Sequence, residues 1–295
     1  MVTEHQAGSA IADEMRKGFM VPGVRNAFRD MLWTLCPTTC LSRWVDRRLR
    51  LGENFWLFVL GVNNSGTTAL AKILESHPSV RTLPAEGHFL TKALPRGIQY
   101  GVTRSFSLRC NVFRWTEESP SGPALRARYD WSWYYPDRPG ILLEKSPPNT
   151  LRARWLQQNF EPSRFIAIVR HPYAVCEGTR RRIGRTIEHA AEHWRRANEY
   201  LFNDIPHLRH SLWFRYEDLC ARPEEYLVKL ASSLEISQPF DTRVLASLDS
   251  PNIDNTQSPL RNFNSRSIGR LSRHDISAIN GIAGALMERL GYECL

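Results

Sequence analysis

The chain has 295 residues, of which 42% are hydrophobic and 23% charged. A chain of that size can bury a sizeable core, so it is not a small scaffold that needs disulfides or metals to fold. The net charge of +9, from 39 Lys and Arg against 30 Asp and Glu, favours an anionic ligand without naming one.

The six cysteines (Cys36, Cys40, Cys110, Cys176, Cys220 and Cys294) complete no zinc pattern and are expected to stay reduced. The opening stretch MVTEHQAGSAIADEMRKG lacks the apolar core of a signal peptide. The longest apolar run, 55–62, is far short of the ~20 residues of a membrane span. A cytoplasmic protein with no membrane span is the expectation.

Residues 1–50 read as a helical, basic N-terminal extension: IADEMRKGFM, then RNAFRDMLWTL after Pro22-Gly23, then LSRWVDRRLRL. An apolar stripe of this kind usually packs on a core; a homodimer contact or a lid are the other readings. From residue 51 to 295 the pattern is that of one α/β domain. The run 55–62 is apolar throughout, as in a strand covered on both faces, and a helix is expected over 67–76. Further buried strands are read at 141–147 (ILLEKSP), 165–172 (FIAIVRHP) and 211–219 (SLWFRYEDL). Between them lie the helical patterns TLRARWLQQNF and TIEHAAEHWRRANEYLF. This alternation predicts a mainly parallel central sheet flanked by helices, with ligands at the carboxyl ends of the strands. The tips GVNNSGTT, EKSP, RHP and YED would then share one edge.

Residues 91–140 break the alternation as an insertion. Its RYDWSWYYPDRPG holds Tyr129, Trp131, Trp133, Tyr134 and Tyr135, either as an anchoring cluster or as a wall of a substrate pocket. Two further signals are weaker than they look. HAAEH at 189–193 matches a zinc-protease spacing but sits on an arginine-rich helix with no third ligand apparent. Arg180, Arg181, Arg182 and Arg185 form a basic cluster with no nucleic-acid motif beside it, so no nucleic-acid partner is expected.

The stretch GVNNSGTT, at 61–68, has the strand–turn–helix setting and the glycine spacing of G-x-x-x-x-G-K-[ST]. The lysine position holds Thr67. A triphosphate site would lack its neutralising charge. What remains is a nest of backbone N–H groups at a helix start, with the hydroxyls of Ser65, Thr67 and Thr68. Such a cradle suits an anhydride whose terminal group carries less charge than a γ-phosphate, and a sulfuryl group fits.

S-G-T-T after a buried strand, with E-S-H-P closing the next helix, resembles the donor loop of the sulfotransferases that use 3′-phosphoadenosine 5′-phosphosulfate (PAPS). EKSPPN at 144–149, RFIAIVRHPYAV at 164–175, WFRYEDL at 213–219 and the closing M-E-R-L-G-Y follow in the same order, and the resemblance covers roughly residues 55–295 on pattern grounds. It implies a P-loop-like sulfotransferase fold, PAPS as co-substrate with adenosine 3′,5′-bisphosphate as product, no metal, and a small-molecule or carbohydrate acceptor with a hydroxyl or amine.

By resemblance the donor is held by Asn64, Ser65, Gly66, Thr67 and Thr68, by Arg170 and Gly178 on its 3′-phosphate, by Tyr216 near adenine, and by Ser267 and Arg270 in a closing loop. TLPAEGHFL resembles the Glu-x-His-Phe context of the carbohydrate-acting branch and implies Glu86 as general base, with His88 as the alternative. Lys145 is expected at the bridging oxygen, where charge develops. Its pairing with Glu144 is discounted because adjacent strand residues face opposite ways.

Three positions depart from the family. Asn64 stands where many members carry Lys or Arg. Gly178 stands where Ser is usual, eight residues after Arg170, with Arg180 to Arg182 as substitutes. Ala69 replaces an aromatic that often stacks on adenine. The other readings are a P-loop kinase, which Thr67 opposes, and a degenerate fold kept as a nucleotide- or partner-binding module, which Asn64 favours.

Overall fold

A computed structural model describes residues 22–246, 248–250 and 256–295. The expected helix at IADEMRKGFM lies outside them. Two helices open the described chain, α1 (Pro22–Leu35) and α2 (Thr38–Leu49). The strands are β1 (Trp56–Leu60), β2 (Val80–Thr82), β3 (Ile141–Lys145), β4 (Ser163–Val169) and β5 (Ser211–Arg215). Helix α3 (Thr67–Glu75) follows β1, and α4 (Gly87–Leu90), α5 (Cys110–Phe113) and α6 (Gly122–Ser132) lie between β2 and β3. Helix α7 (Ala153–Asn159) precedes β4; α8 (Pro172–Ile183) and α9 (Ile187–Asp204) link β4 to β5. Helices α10 (Tyr216–Ala221) and α11 (Pro223–Leu234), a short antiparallel hairpin β6 (Leu248–Ser250) and β7 (Thr256–Ser258), then α12 (Asn264–Ile268) and α13 (Arg273–Arg289) complete it.

The five strands β1 to β5 form one sheet in the order β2-β3-β1-β4-β5, every pair parallel. The architecture is the α/β, helix-flanked parallel sheet expected from the strand–helix alternation. β1 is central and wholly buried. Its Trp56, Phe58 and Leu60 enter one core with residues of α2, α6, α7, α9 and α13, while Leu57 and Val59 enter a second core with α3 and α11. That division is the two-residue period of a strand covered on both faces. On α3, Leu70, Ile73 and Leu74 point inward at the i, i+3, i+4 spacing, each contributing about 1.5–3 kcal/mol by burial.

The strand ends differ from expectation, and β1 itself covers only Trp56–Leu60 of the predicted 55–62. The strand predicted over 141–147 stops at Lys145, because Pro147 and Pro148 have no N–H to give the ladder and begin a 3₁₀ turn over Pro147–Leu151. The one predicted over 165–172 spans Ser163–Val169 and ends before the His171-Pro172 turn. The one predicted over 211–219 stops at Arg215, and Tyr216, Glu217 and Asp218 open α10 instead. Acidic residues are favoured in the first turn of a helix, and Asp218 also accepts two hydrogen bonds from Arg215, at 2.9 and 3.0 Å. The three-residue β2 was not anticipated from the sequence.

The N-terminal helices pack on the insertion. Arg29 pairs with buried Asp130 at 3.1 Å, Tyr129 donates to the Arg29 carbonyl at 2.9 Å, and Trp33 and Trp44 contact the Tyr129 ring. Tyr129, Trp131, Trp133 and Tyr135 are all buried in this core.

Candidate active site

The carboxyl ends of β1, β3, β4 and β5 meet at one edge. β1 turns sharply at Gly61, whose φ is +144° and where a Cβ would lie 2.5 Å from the Ile168 carbonyl oxygen. Only glycine fits there. The Gly61 N–H donates to Thr150 Oγ1 at 2.8 Å, which ties the loop to the turn after β3. Gly66, at φ +100°, packs over the Tyr216 ring, and a Cβ on it would lie 2.6 Å from that ring. No side chain caps the start of α3, so the N–H groups of its first turn face the edge as anion donors.

The loop hydroxyls are not equivalent. Ser65 is buried and donates to the Val62 carbonyl at 2.7 Å; Thr67 is buried as well. Thr68 is partly exposed and lies 3.5 Å from Lys145 Nζ. Lys145 faces α3 because it shares a strand face with Leu143, one residue out of phase with Glu144. Its ammonium donates to Glu86 Oε1 at 2.6 Å.

Glu144 takes the opposite face and is buried, accepting from the Gly87 N–H at 2.8 Å and from Ser146 Oγ and Asn149 Nδ2. Burial raises its pKa against the lowering effect of those donors and of Arg152. This buried carboxylate fixes the backbone immediately after Glu86. Trp131 Nε1 adds a bond to the Gly87 carbonyl at 2.9 Å.

His88 is held by the same network. Its Nδ1 lies 2.9 Å from Ser146 Oγ and 3.7 Å from Glu86 Oε2. Because Ser146 gives its proton to Glu144, Nδ1 is the protonated ring nitrogen and Nε2 the basic one. Burial, reinforced by Arg152, Arg96 and Lys145, pushes the His88 pKa down to about 3. The ring is neutral at physiological pH.

Arg170, at the end of β4, lies against the loop. Nη1 donates to the Asn64 carbonyl at 3.1 Å, Nε donates to Asn264 Oδ1 at 2.8 Å, and the guanidinium stacks on Tyr216 at 4.4 Å. Asn264 is in turn oriented by Glu217 (2.6 Å), which also takes the His171 N–H at 3.0 Å. Tyr216 is buried and donates to the Arg261 carbonyl at 2.7 Å. Gly178, on α8, faces Asn64, and a Cβ there would come within 3.2 Å of the Asn64 amide.

Ser267 and Arg270 lie in the segment that packs beside α8. Arg270 is exposed and reaches Glu177 at 3.4 Å, while Arg180 pairs with Asp275 at 2.8 Å and Arg181 with Glu177 at 3.0 Å. Arg104, Thr150 and Asn264 were not marked as candidates by any motif. Thr150 and Asn264 carry no motif of their own, and Arg104 is one of many arginines in the insertion.

Beside Lys145 and Glu86 opens a cleft of about 500 Å³, lined also by Thr68, Leu83, Tyr134 and Leu143. Of the aromatic run in the insertion, Tyr134 is the member that lines it. In the zinc-like HAAEH run, Glu192 pairs with Arg195 and Arg196, and His193 Nδ1 is bonded to Ser107 Oγ at 2.6 Å. No group of three or more metal-ligating side chains occurs among the described residues. None of the described helices is long and apolar enough to cross a membrane.

A lysine-free loop thus closes the central strand of a parallel sheet, with a carboxylate–lysine pair at the end of the neighbouring strand. Residues 57–241 match the Sulfotransferase family, and the chain belongs to that family. No curated protein sequence matches it significantly.

Among solved structures the chain is similar to the sulfotransferase domain from the curacin biosynthetic pathway, with TM-score 0.52 and 19% identity over 82% of this chain and 99% of that one. It is also similar to sulfotransferase STF9 from Mycobacterium avium, with TM-score 0.51 and 14% identity over 99% of this chain and 93% of that one. At these identities the likeness is one of fold.

Proposed function

We propose that this enzyme moves a sulfuryl group from PAPS to a hydroxyl or amine of a small-molecule or carbohydrate acceptor, with Glu86 as general base. The observation that carries this is the position of Lys145, bonded to Glu86 on one side and adjacent to Thr68 of the loop on the other. One cation thereby stands between a candidate base and a candidate donor cradle.

The cradle fits the phosphosulfate end of the donor. Gly61 and Gly66 let the loop turn tightly against Ile168 and Tyr216, and the first turn of α3 presents N–H groups with no side-chain cap. When bound, PAPS supplies the activated sulfuryl group. In this reading the α3 amides and Thr68 hold the anhydride end, and Arg170, stacked on Tyr216, grips the 3′-phosphate. Glu86 takes the proton of an acceptor lying in the cleft. Lys145 neutralises charge gathering on the oxygen that departs from sulfur.

Incubation with labelled PAPS and a panel of hydroxylated and amino acceptors should give a labelled, sulfated product that depends on Glu86. Calorimetry should show uptake of adenosine 3′,5′-bisphosphate. Failure to bind that nucleotide, together with binding of ATP once magnesium is added, would overturn the proposal.

A further inference from the structure

The loop at 61–68 contains no Lys or Arg, yet the 5′ end of the donor proposed above carries concentrated negative charge. Asn64 cannot make up the difference. Its backbone is in the left-handed region, at φ +69°, a conformation that Asn tolerates. Its side-chain amide is neutral and already engaged at each end, Nδ2 donating to Thr179 Oγ1 at 3.2 Å and Oδ1 accepting from Arg104 Nη2 at 2.9 Å, so it adds no positive charge.

Arg104 comes from the insertion, forty positions along the chain, and is itself in the left-handed region at φ +58°. Its Nε is buried and makes no hydrogen bond among the described residues. Leaving a charged donor in that state is costly unless a ligand accepts from it. Arg182 lies near enough to oppose its charge, and Glu86 near enough to favour it. A desolvated guanidinium beside a second one, with an open donor and a loop of backbone amides next to it, is a seat for an anion.

We propose that Arg104 supplies the cation that the loop lacks, reaching in from the insertion to hold the 5′-phosphate end of the donor nucleotide over Asn64. The inference rests on the PAPS reading above. Arg104 is then a binding residue on the donor side, carried by the segment that also gives Tyr134 to the cleft.

The test is calorimetric and needs no turnover. Adenosine 3′,5′-bisphosphate and 3′-AMP, which lacks the 5′-phosphate, are titrated into the wild-type protein, Arg104→Gln and Arg104→Lys. Gln retains an amide donor for Asn64 and removes the charge. Arg104→Gln should weaken the bisphosphate by about tenfold or more, the range expected for a charge-assisted bond, and leave 3′-AMP within about twofold. Arg104→Lys should fall between the two.

Retained binding of 3′-AMP also reports that the variant is folded. Equal losses for both nucleotides would assign Arg104 a purely structural role, and unchanged bisphosphate affinity would remove it from the site; either result overturns the inference and leaves the PAPS reading standing. Absence of bisphosphate binding by the wild-type protein would remove the PAPS reading itself.

Discussion

Glu86 and Lys145, 59 positions apart in the chain, form an ion pair of 2.6 Å at the mouth of the cleft. The lysine orients the carboxylate and separates it from Thr68. Replacing Glu86 by Gln keeps the shape and a hydrogen-bonding oxygen but removes the base. It should cut turnover by about 10²-fold or more and leave the affinity for adenosine 3′,5′-bisphosphate unchanged by calorimetry. Near-normal turnover would take Glu86 out of the role of base.

Lys145→Ala should also lower turnover, by about 10²–10³-fold, if it meets charge that develops only as the reaction proceeds. The informative measurement is the split between kcat and KM for PAPS. A loss confined to KM would make Lys145 a ground-state contact.

Arg170 is built into the loop by Asn64, Asn264 and the Tyr216 ring. Arg170→Ala should weaken adenosine 3′,5′-bisphosphate strongly and spare an analogue without the 3′-phosphate. Asn264→Ala, which only loosens the guanidinium, should show the same selectivity at smaller size. Uniform losses across both ligands would contradict the placement.

Gly61 has no room for a side chain, since the obstacle to a Cβ is the Ile168 backbone. Gly61→Ala should destabilise the fold by at least about 2 kcal/mol, combining left-handed strain with overpacking. Denaturant titration measures this directly, and a loss under ~0.5 kcal/mol would mean that β4 yields there.

His193 is wholly buried and, like His88, is held neutral, with its pKa pushed down to about 3 by burial. The unfolded chain binds a proton near the ordinary histidine value, so between about pH 6.5 and 3 it holds more protons than the native state. Stability should therefore fall on acidification through that window, by about 1.4 kcal/mol per pH unit for each such group. His193→Gln should flatten the fall in Tm below pH 6.5, whereas any change in Tm at pH 7.5, where the imidazole is neutral in both states, reports its packing alone. An unchanged slope would show that His193 is protonated in the native state.

The sheet was legible in the sequence because β1, β3 and β4 are buried on both faces and so read as unbroken apolar runs. β2 was not, since three residues carry too short a pattern. The end of β5 lies earlier than expected because the aromatic Tyr216 prolongs the strand-like pattern of Leu212, Trp213 and Phe214, while Glu217 and Asp218 favour a helix start. At the candidate site, the motif residues Glu86, Lys145 and Arg170 were marked by the sequence, and the fold brings Glu86 beside Lys145 and Arg170 against the loop. Arg104 and Asn264 were not marked, because each acts through a contact closed by the fold between segments distant in sequence, and neither type nor spacing distinguishes them. The discounted Lys145–Glu144 pair shows the converse: strand alternation alone separated two neighbours onto opposite faces, where they meet different partners.

The hydrogen bond between Arg104 and Asn64 ties two parts of the molecule that would otherwise be separable modules. A graft that replaced residues 91–140 with the corresponding stretch of a relative, intended to retarget the acceptor, would also strip the donor loop of its neighbouring guanidinium. On the proposal that Arg104 holds the donor, such a chimaera would need a compensating lysine in the loop to keep its grip on the nucleotide.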